Sequence, residues 1–213
     1  MAEPRGVDVR RLGLIEYAEA DALMRELQTL RLADEIPDTL LLCEHPEIVT
    51  IGPGARRDKV VVPSDYAQTD VDRGGGITYH GPGQMVVYPV FRWDFSDEAN
   101  VKRITSKLEQ WAIEALSTLG VEAGTDDRMQ GIWLDGQKVG SVGLAFMRWV
   151  SRHGFTINLA TDEGRVEGLY GCGMDAGLTT SLSTLGHALK RDDLEMALLS
   201  SMGDCLNRFE QKP

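Results

Sequence analysis

The stretch Gly131-Ile-Trp-Leu-Asp-Gly-Gln-Lys-Val-Gly-Ser-Val-Gly-Leu-Ala-Phe146 decides the fold class. Asp135-Gly136 at its centre suits a two-residue turn in which both residues take positive φ. Apolar and β-branched residues on either side make it a hairpin, with strands over Gly131–Leu134 and Lys138–Phe146. Working outward, short apolar runs read as further strands at Thr39–Cys43, Ile48–Ile51, Lys59–Val62, Met85–Phe91 and Phe155–Ala160. Three segments have helical spacing instead. Leu23, Leu27 and Leu30 recur within Glu19–Arg31, and Val101, Ile104, Leu108, Trp111, Ala115 and Leu119 within Glu98–Leu119. For the second helix, Ser96 or Asp97 is the expected cap and Gly120 the stop. A third helix is predicted over Asp193–Phe209, with Leu194, Leu198, Cys205, Leu206 and Phe209 on one face. Strand runs broken by a few long helices predict an α+β fold, a mixed β-sheet flanked by helices. No repeat or linker divides residues 1–213, which read as one domain.

Composition removes several classes of function. The 213 residues carry 33 acidic and 22 basic side chains, a formal charge of −11, which does not suit a nucleic-acid binder. No apolar run reaches the roughly 20 residues needed to span a bilayer. Met1–Gly13 lacks the apolar stretch of a signal peptide, and Glu3 and Asp8 do not suit a transit peptide. Three cysteines, with no C-x-x-C pair, make no disulfide framework. The expectation is a cytoplasmic protein with reduced thiols. The four histidines show no metal spacing, so no metal site is expected.

The densest glycine segment is Arg73-Gly74-Gly75-Gly76-Ile77-Thr78-Tyr79-His80-Gly81-Pro82-Gly83-Gln84. Glycine costs backbone entropy, so this density suits a main chain that must approach a ligand closely. Free N–H groups in such a segment can form a concavity for an anion or carbonyl, with Arg73, Tyr79 and His80 around it. The bland alternative is a flexible hairpin loop, but the Thr, Tyr, His and Gln flanking the glycines are not linker residues. No Walker motif occurs. Gly171–Ala176 fits G-x-G-x-x-[GA] by spacing, without the strand-then-helix unit a dinucleotide site requires.

Among the cysteines, Cys43 closes an apolar strand and Cys205 lies on a helix face, so both read as small buried hydrophobes. Cys172 stands between Gly171 and Gly173, which suits an accessible nucleophile with open N–H groups beside it. A thiol needs a neighbouring cation to become thiolate at pH 7. Lys138 is the candidate, though a lysine after a turn is more often a solvated surface residue. His80 and His153 are alternative bases, whereas His45 and His187 have no supporting context.

These residues resemble the lipoyl(octanoyl) transferases, within the superfamily of lipoate and biotin protein ligases. The match lies in the Arg73–Gln84 block, in Lys138-Val-Gly-Ser-Val-Gly143, and in Cys172-Gly173 followed by Thr180-Ser181-Leu182. His153-Gly154 and Asn158 fall between the second and third blocks. The resemblance covers about Leu40 to Leu185 and implies the ligase-like catalytic fold. It also implies transfer of an octanoyl or lipoyl group from acyl carrier protein to a lysine of lipoyl domains. Those acceptors are the E2 subunits of 2-oxoacid dehydrogenases and the glycine cleavage H protein. In that reading Cys172 carries the acyl group as a thioester and Lys138 depresses the thiol pKa. Arg73, Gly74, Gly75, Gly76, Ile77, Thr78, Tyr79 and His80 line the acyl pocket. Ser141, Val142 and Gly143, with Gly154, Phe155 and Thr156, complete it. No cofactor and no metal are implied, and a monomer is expected.

Gly171 stands where many members have proline, and Ala145 where arginine is frequent. Three rivals carry their own discriminators. ATP-dependent lipoate or octanoate ligases show H-D-x-G-N where this chain has His80-Gly81-Pro82-Gly83-Gln84, and use no cysteine at the position of Cys172. Amidotransferases that move the group between lipoyl domains share the cysteine. A non-catalytic acyl-binding module would transfer nothing with or without Cys172. Acyl carrier protein is typically acidic, so a local basic patch is expected to meet it, either Arg56, Arg57 and Lys59 or Arg148 and Arg152.

Overall fold

Two strands, Asp38–Glu44, buried except at Glu44, and the fully buried Gln84–Val90, show how one sequence serves two cores. Leu40, Leu42, Met85 and Val87 pack into one cluster; Leu41, Cys43, Val86 and Tyr88 pack into another. That is the period of two of a strand buried on both faces. The computed structural model describes residues 3–98, 100–162, 164–169 and 177–211, so Cys172 with its flanking glycines lies outside the described residues. In chain order the elements are β1 (Arg5–Leu14), α1 (Tyr17–Leu32), β2 (Asp38–Glu44), β3 (Ile48–Ile51), α2 (Pro53–Arg57), β4 (Gln68–Asp70), β5 (Ile77–His80), β6 (Gln84–Val90), α3 (Val101–Ser117), β7 (Gly124–Asp126), β8 (Met129–Leu134), β9 (Gln137–Met147), β10 (Val150–Asn158), α4 (Arg191–Leu206) and β11 (Arg208–Glu210).

The larger sheet has the order β11-β1-β2-β6-β10-β9-β8-β7, and the smaller one β4-β3-β5. Strand β1 runs parallel to β2 and β11, while β2, β6, β10, β9 and β8 pair antiparallel, so the sheet is mixed. Ile104, Leu108 and Trp111 of α3 and Leu194, Leu198 and Met202 of α4 cover one face. Ala20, Met24 and Leu27 of α1 cover the other. The expected α+β fold with a mixed sheet flanked by helices is therefore what the chain adopts. The Asp135-Gly136 turn forms as expected, with φ of 50° and 77°, between β8 and β9. No described helix is long and apolar enough to cross a membrane.

Several local expectations need correction. Lys59–Val62 is not a strand; it follows α2 as irregular chain, with Val61 83% exposed and Val62 buried against Val49, Tyr66 and Tyr79 without sheet pairing. Helix α3 begins after Asn100, whose side chain accepts from the N–H of Arg103; neither Ser96 nor Asp97 is the cap. Helix α4 stops at Leu206 because Asn207 takes the left-handed conformation at φ 54°, and Phe209 passes into β11, half exposed. The buried face of α1 centres on Ala20, Met24 and Leu27, with Leu23 and Leu30 at its margin. Gln28 and Arg31 share the buried face because each has a partner: Gln28 donates to the carbonyl of Val150 at 2.7 Å, and Arg31 to Asp38 at 2.7 Å.

Strand β1 has no apolar run to announce it, since only Val7 is fully buried. It is held by backbone pairing and by charge. Arg208, fully buried, donates to Asp38 at 3.0 Å and to Glu98 at 2.8 Å, tying the C-terminal strand to β2 and to the approach to α3.

Candidate active site

Strands β5, β9 and β10 and the first turns of α3 enclose a cleft made of three adjoining cavities. The largest, about 340 Å³, has Gly74–Gly76, Ile77 and Thr78 on one side and Lys138, Ser141, Val142 and Gly143 of β9 on the other. Val101 and Thr105 of α3 and Met129 of β8 close it. A second, about 50 Å³, brings Lys138 to Tyr79, Gln84, Thr156, Asn158, Leu169 and Thr179. The third, about 20 Å³, is aromatic and polar, with Tyr17, Arg73, His80, Tyr88, His153, Gly154 and Phe155. Thr78 and Ser141 line all three, so the cavities adjoin around these two residues. Every residue expected in the acyl pocket lines this cleft, and so does Lys138; Cys172 lies outside the described residues. The largest cavity alone falls in the size range of small-molecule sites.

The glycine segment is fixed rather than loose. The N–H groups of Gly52 and Gly54 donate to the carbonyls of Gly76 and Gly75 at 2.9 and 3.1 Å, and the N–H of Gly74 donates to Leu144 at 2.9 Å. Arg73, buried, donates to the hydroxyl of Thr50 at 2.8 Å and to the carbonyl of Gly76 at 3.2 Å. Its guanidinium thus clamps the segment to β3, a role the sequence did not reveal.

Lys138 is 6% exposed, so the solvated reading does not hold for it. Its N–H donates to Leu178 at 2.7 Å and its carbonyl accepts from Thr180 at 2.9 Å, which lays the chain after Gly177 along β9. Its Nζ lies 3.2 Å from the sulfur of Met129. Glu109 of α3 sits in Coulombic reach; burial raises its carboxyl pKa, against the opposing pull of the Gly131 N–H and of Lys138. Gly131 makes the room: at φ 144°, a Cβ there would stand 2.4 Å from Lys138 Cε and 2.5 Å from the carbonyl of Gly140. Gly131→Ala is therefore expected to displace the lysine stem. A displacement near 1 Å can cost about a hundredfold in rate. The expected result is a fall in kcat of tenfold or more, larger than any drop in urea midpoint accounts for. Unchanged kcat would show that the stem has freedom to move.

His45, His80 and His153 are not cations here. Burial, with His45 and Arg73 nearby, holds His80 well below the usual range, and its Nδ1 pairs with Gln84 at 2.9 Å. Burial takes His153 down to about 4 although Asp72 lies 3.1 Å from its Nε2. His45, which the sequence left without context, is buried beside Tyr88 at 2.9 Å and edge-on to His80, 5.4 Å between ring centres; burial lowers its pKa too. His80 and His153 line only the innermost cavity, away from Lys138. All three histidines are neutral in the fold at pH 7, while in the unfolded chain they titrate near 6.5. Their contribution to stability is complete above about pH 6.5 and is lost as pH falls toward 4. The unfolded chain then binds protons that the fold refuses, at up to about 1.4 kcal/mol per pH unit for each histidine. A urea-midpoint series is expected to be flat from pH 8 to 7 and to fall steeply below pH 6. His153→Gln should remove part of that slope; a midpoint flat down to pH 5 would contradict the assignment.

Cys43 is fully buried, and burial pushes its thiol up to about 12; burial also raises Cys205. Neither lines the cleft. Of the basic residues proposed to meet a carrier, Arg152 is 5% exposed and committed to Gln28 at 2.8 Å and Asp72 at 2.6 Å. It cannot meet a partner. Arg56 donates to the carbonyl of Val71 at 3.1 Å beside Asp70, and Arg57 pairs with Asp58. Among the described residues no group of three or more His, Cys, Asp or Glu could hold a metal ion.

The family model of the lipoyl protein ligase A/B catalytic domain matches residues 16–203. An octanoyltransferase of Rubrobacter xylanophilus is 38% identical over 210 residues, 94% of this chain and 94% of its own. One of Caldicellulosiruptor saccharolyticus is 35% identical over 192 residues, 86% of this chain and 81% of its own. Among solved structures, lipoate-protein ligase A bound with ATP superposes with a TM-score of 0.74 at 13% identity, over 100% of this chain and 89% of that one. That likeness concerns the fold.

Proposed function

The chain belongs to the lipoyl protein ligase A/B catalytic-domain family, among its octanoyltransferases, and we propose that it moves an octanoyl or lipoyl group from an acyl carrier protein thioester to a lysine of a lipoyl domain. The thiolate of Cys172 attacks the thioester carbonyl, a new thioester forms on the enzyme, and the carrier sulfur leaves as thiolate and takes up the proton that Cys172 released on ionising. The neutral acceptor amine then attacks that thioester, the nitrogen gives up a proton as the amide forms, and Cys172 leaves as thiolate. One thioester is exchanged for another and then for a more stable amide, so the sequence needs no ATP. Arg73 through His80, Ser141 through Gly143 and Gly154 through Thr156 hold the acyl chain, and Lys138 holds the thiolate.

The observation that carries this reading is the position of Lys138. It is buried where the glycine segment meets β9, in the cavity that both Leu169 and Thr179 line. Leu169 and Gly177 are the described residues on either side of Cys172 in sequence, and Thr179 follows Gly177 by two. Cys172 is three residues beyond Leu169, a reach of about 10 Å at full extension.

Intact mass after mixing with octanoyl–acyl carrier protein, without ATP, tests it. The expected result is one octanoyl adduct on Cys172 that an apo lipoyl domain discharges. Labelling of the lipoyl domain from free octanoate plus ATP, with no adduct, would replace the transferase reading with the ligase.

A further inference from the structure

The cleft opens beside the first turn of α3. Val101 lines the largest cavity there and is nevertheless 49% exposed. The adjoining surface of the same helix is an open groove that carries Lys102, Arg103 and Lys107. Lys107 is answered by Asp97 at 2.6 Å. Glu98, the other carboxylate close by, is buried and bonded to Arg208 at 2.8 Å. The first turn of α3 holds no acidic residue, and Lys102 and Arg103 are exposed with no ion pair among the described residues.

This sets them apart from the cations elsewhere. Arg57, Arg128, Arg165 and Arg191 each face a carboxylate. Lys59, Arg148 and Lys190, which lack one, line no part of the cleft. A chain of formal charge −11 repels an acidic partner at a distance, so productive encounter needs positive charge at the right place. At about 0.1 M salt the Debye length is about 10 Å, and only charges near the contact count.

We propose that the Lys102–Arg103 groove of α3 is the docking surface for the acidic face of the protein that delivers the thioester, whose acyl arm enters the cleft past Val101. The proposal rests on the carrier-donor reading above. Complementary charge at a rim acts mainly on association rate and on salt dependence.

The test is the double variant Lys102→Glu/Arg103→Glu, with octanoyl–acyl carrier protein and octanoyl-pantetheine as alternative donors. With the carrier, kcat/KM is expected to fall tenfold or more and to lose its salt dependence. With octanoyl-pantetheine it should match wild type, and Arg148→Glu should match wild type with both. An unchanged carrier rate overturns the proposal. An equal loss with both donors also overturns it, by placing the pair in the cleft. Normal loading of Cys172 with slowed discharge to a lipoyl domain overturns it too, by giving the groove to the acceptor. Should wild type use octanoyl-pantetheine but never the carrier, the donor reading itself fails.

Discussion

Cys172→Ser is expected to leave no measurable octanoyl transfer, a loss of at least about a thousandfold, while Cys43→Ser and Cys205→Ser keep it. The contrast follows from what each thiol can become. A thiol near an ordinary pKa is a few per cent thiolate at pH 7 and is the more nucleophilic for it; a serine hydroxyl has no comparable anion. Cys43 cannot substitute, because burial pushes its thiol up to about 12 and it faces α1, on the other side of β2 from α3. Cys205 sits on α4, partly buried against the core, with its thiol also raised by burial. Exchanging either sulfur for a hydroxyl puts a polar group into apolar packing and is expected to cost about 1–3 kcal/mol of stability. The experiment is transfer from octanoyl–acyl carrier protein, read by intact mass of the acceptor domain, beside a urea melt of each variant. Transfer surviving in Cys172→Ser, with an adduct mapped elsewhere, would remove Cys172 from the mechanism.

What the sequence disclosed followed the kind of signal each feature leaves. The β8–β9 hairpin was legible because Asp135-Gly136 is a local signal, and α3 because its apolar positions keep helical spacing over 17 residues. Boundaries were harder. Asn100 caps α3 because its side chain reaches the Arg103 N–H, and Ser96 and Asp97 are equally good candidates on paper. Strand β1 was invisible: it is held in the sheet by backbone pairing on both sides and by Arg208, which lies 170 residues from Asp38 in sequence. In the cleft, the glycine block announced itself by composition, whereas Lys138 read as a surface lysine until the family resemblance gave it a role. Met129, Glu109 and His45 did not, because each is an ordinary residue whose importance comes only from what packs beside it. Arg152 misled in the opposite sense. A surface-looking arginine proved to be a buried partner of Gln28 and Asp72, with His153 held by the same Asp72 carboxylate. Burial raises the Asp72 pKa, and the two hydrogen bonds outweigh it and take it down to about 2.

Lys138→Ala is expected to lower transfer by a hundredfold or more and to shift the pH profile of Cys172 alkylation upward by one to three pH units. An ammonium within about 4–6 Å of a thiol favours the charged form by that amount, and the effect grows as water is excluded. The surroundings of Lys138 fit such a role. Its stem is buried beside Gly131, its Nζ contacts the sulfur of Met129, and Glu109 is near enough to influence it without replacing it as the group facing the cleft. Once the Lys138 ammonium has given its proton to the departing carrier thiolate, the neutral amine can accept the proton of the attacking amine, so turnover should suffer at pH values where the thiol is already ionised. This separates two contributions. If Lys138 acts only on the thiol, raising the pH restores Lys138→Ala to the wild-type rate of discharge. If it also handles the amine proton, loading of Cys172 recovers at high pH while discharge to the lipoyl domain stays slow. Lys138→Met keeps the apolar stem and removes the charge, so it should behave as Lys138→Ala does while melting closer to wild type. An alkylation profile in Lys138→Met that overlays the wild type would show that the thiol draws its reactivity from another group.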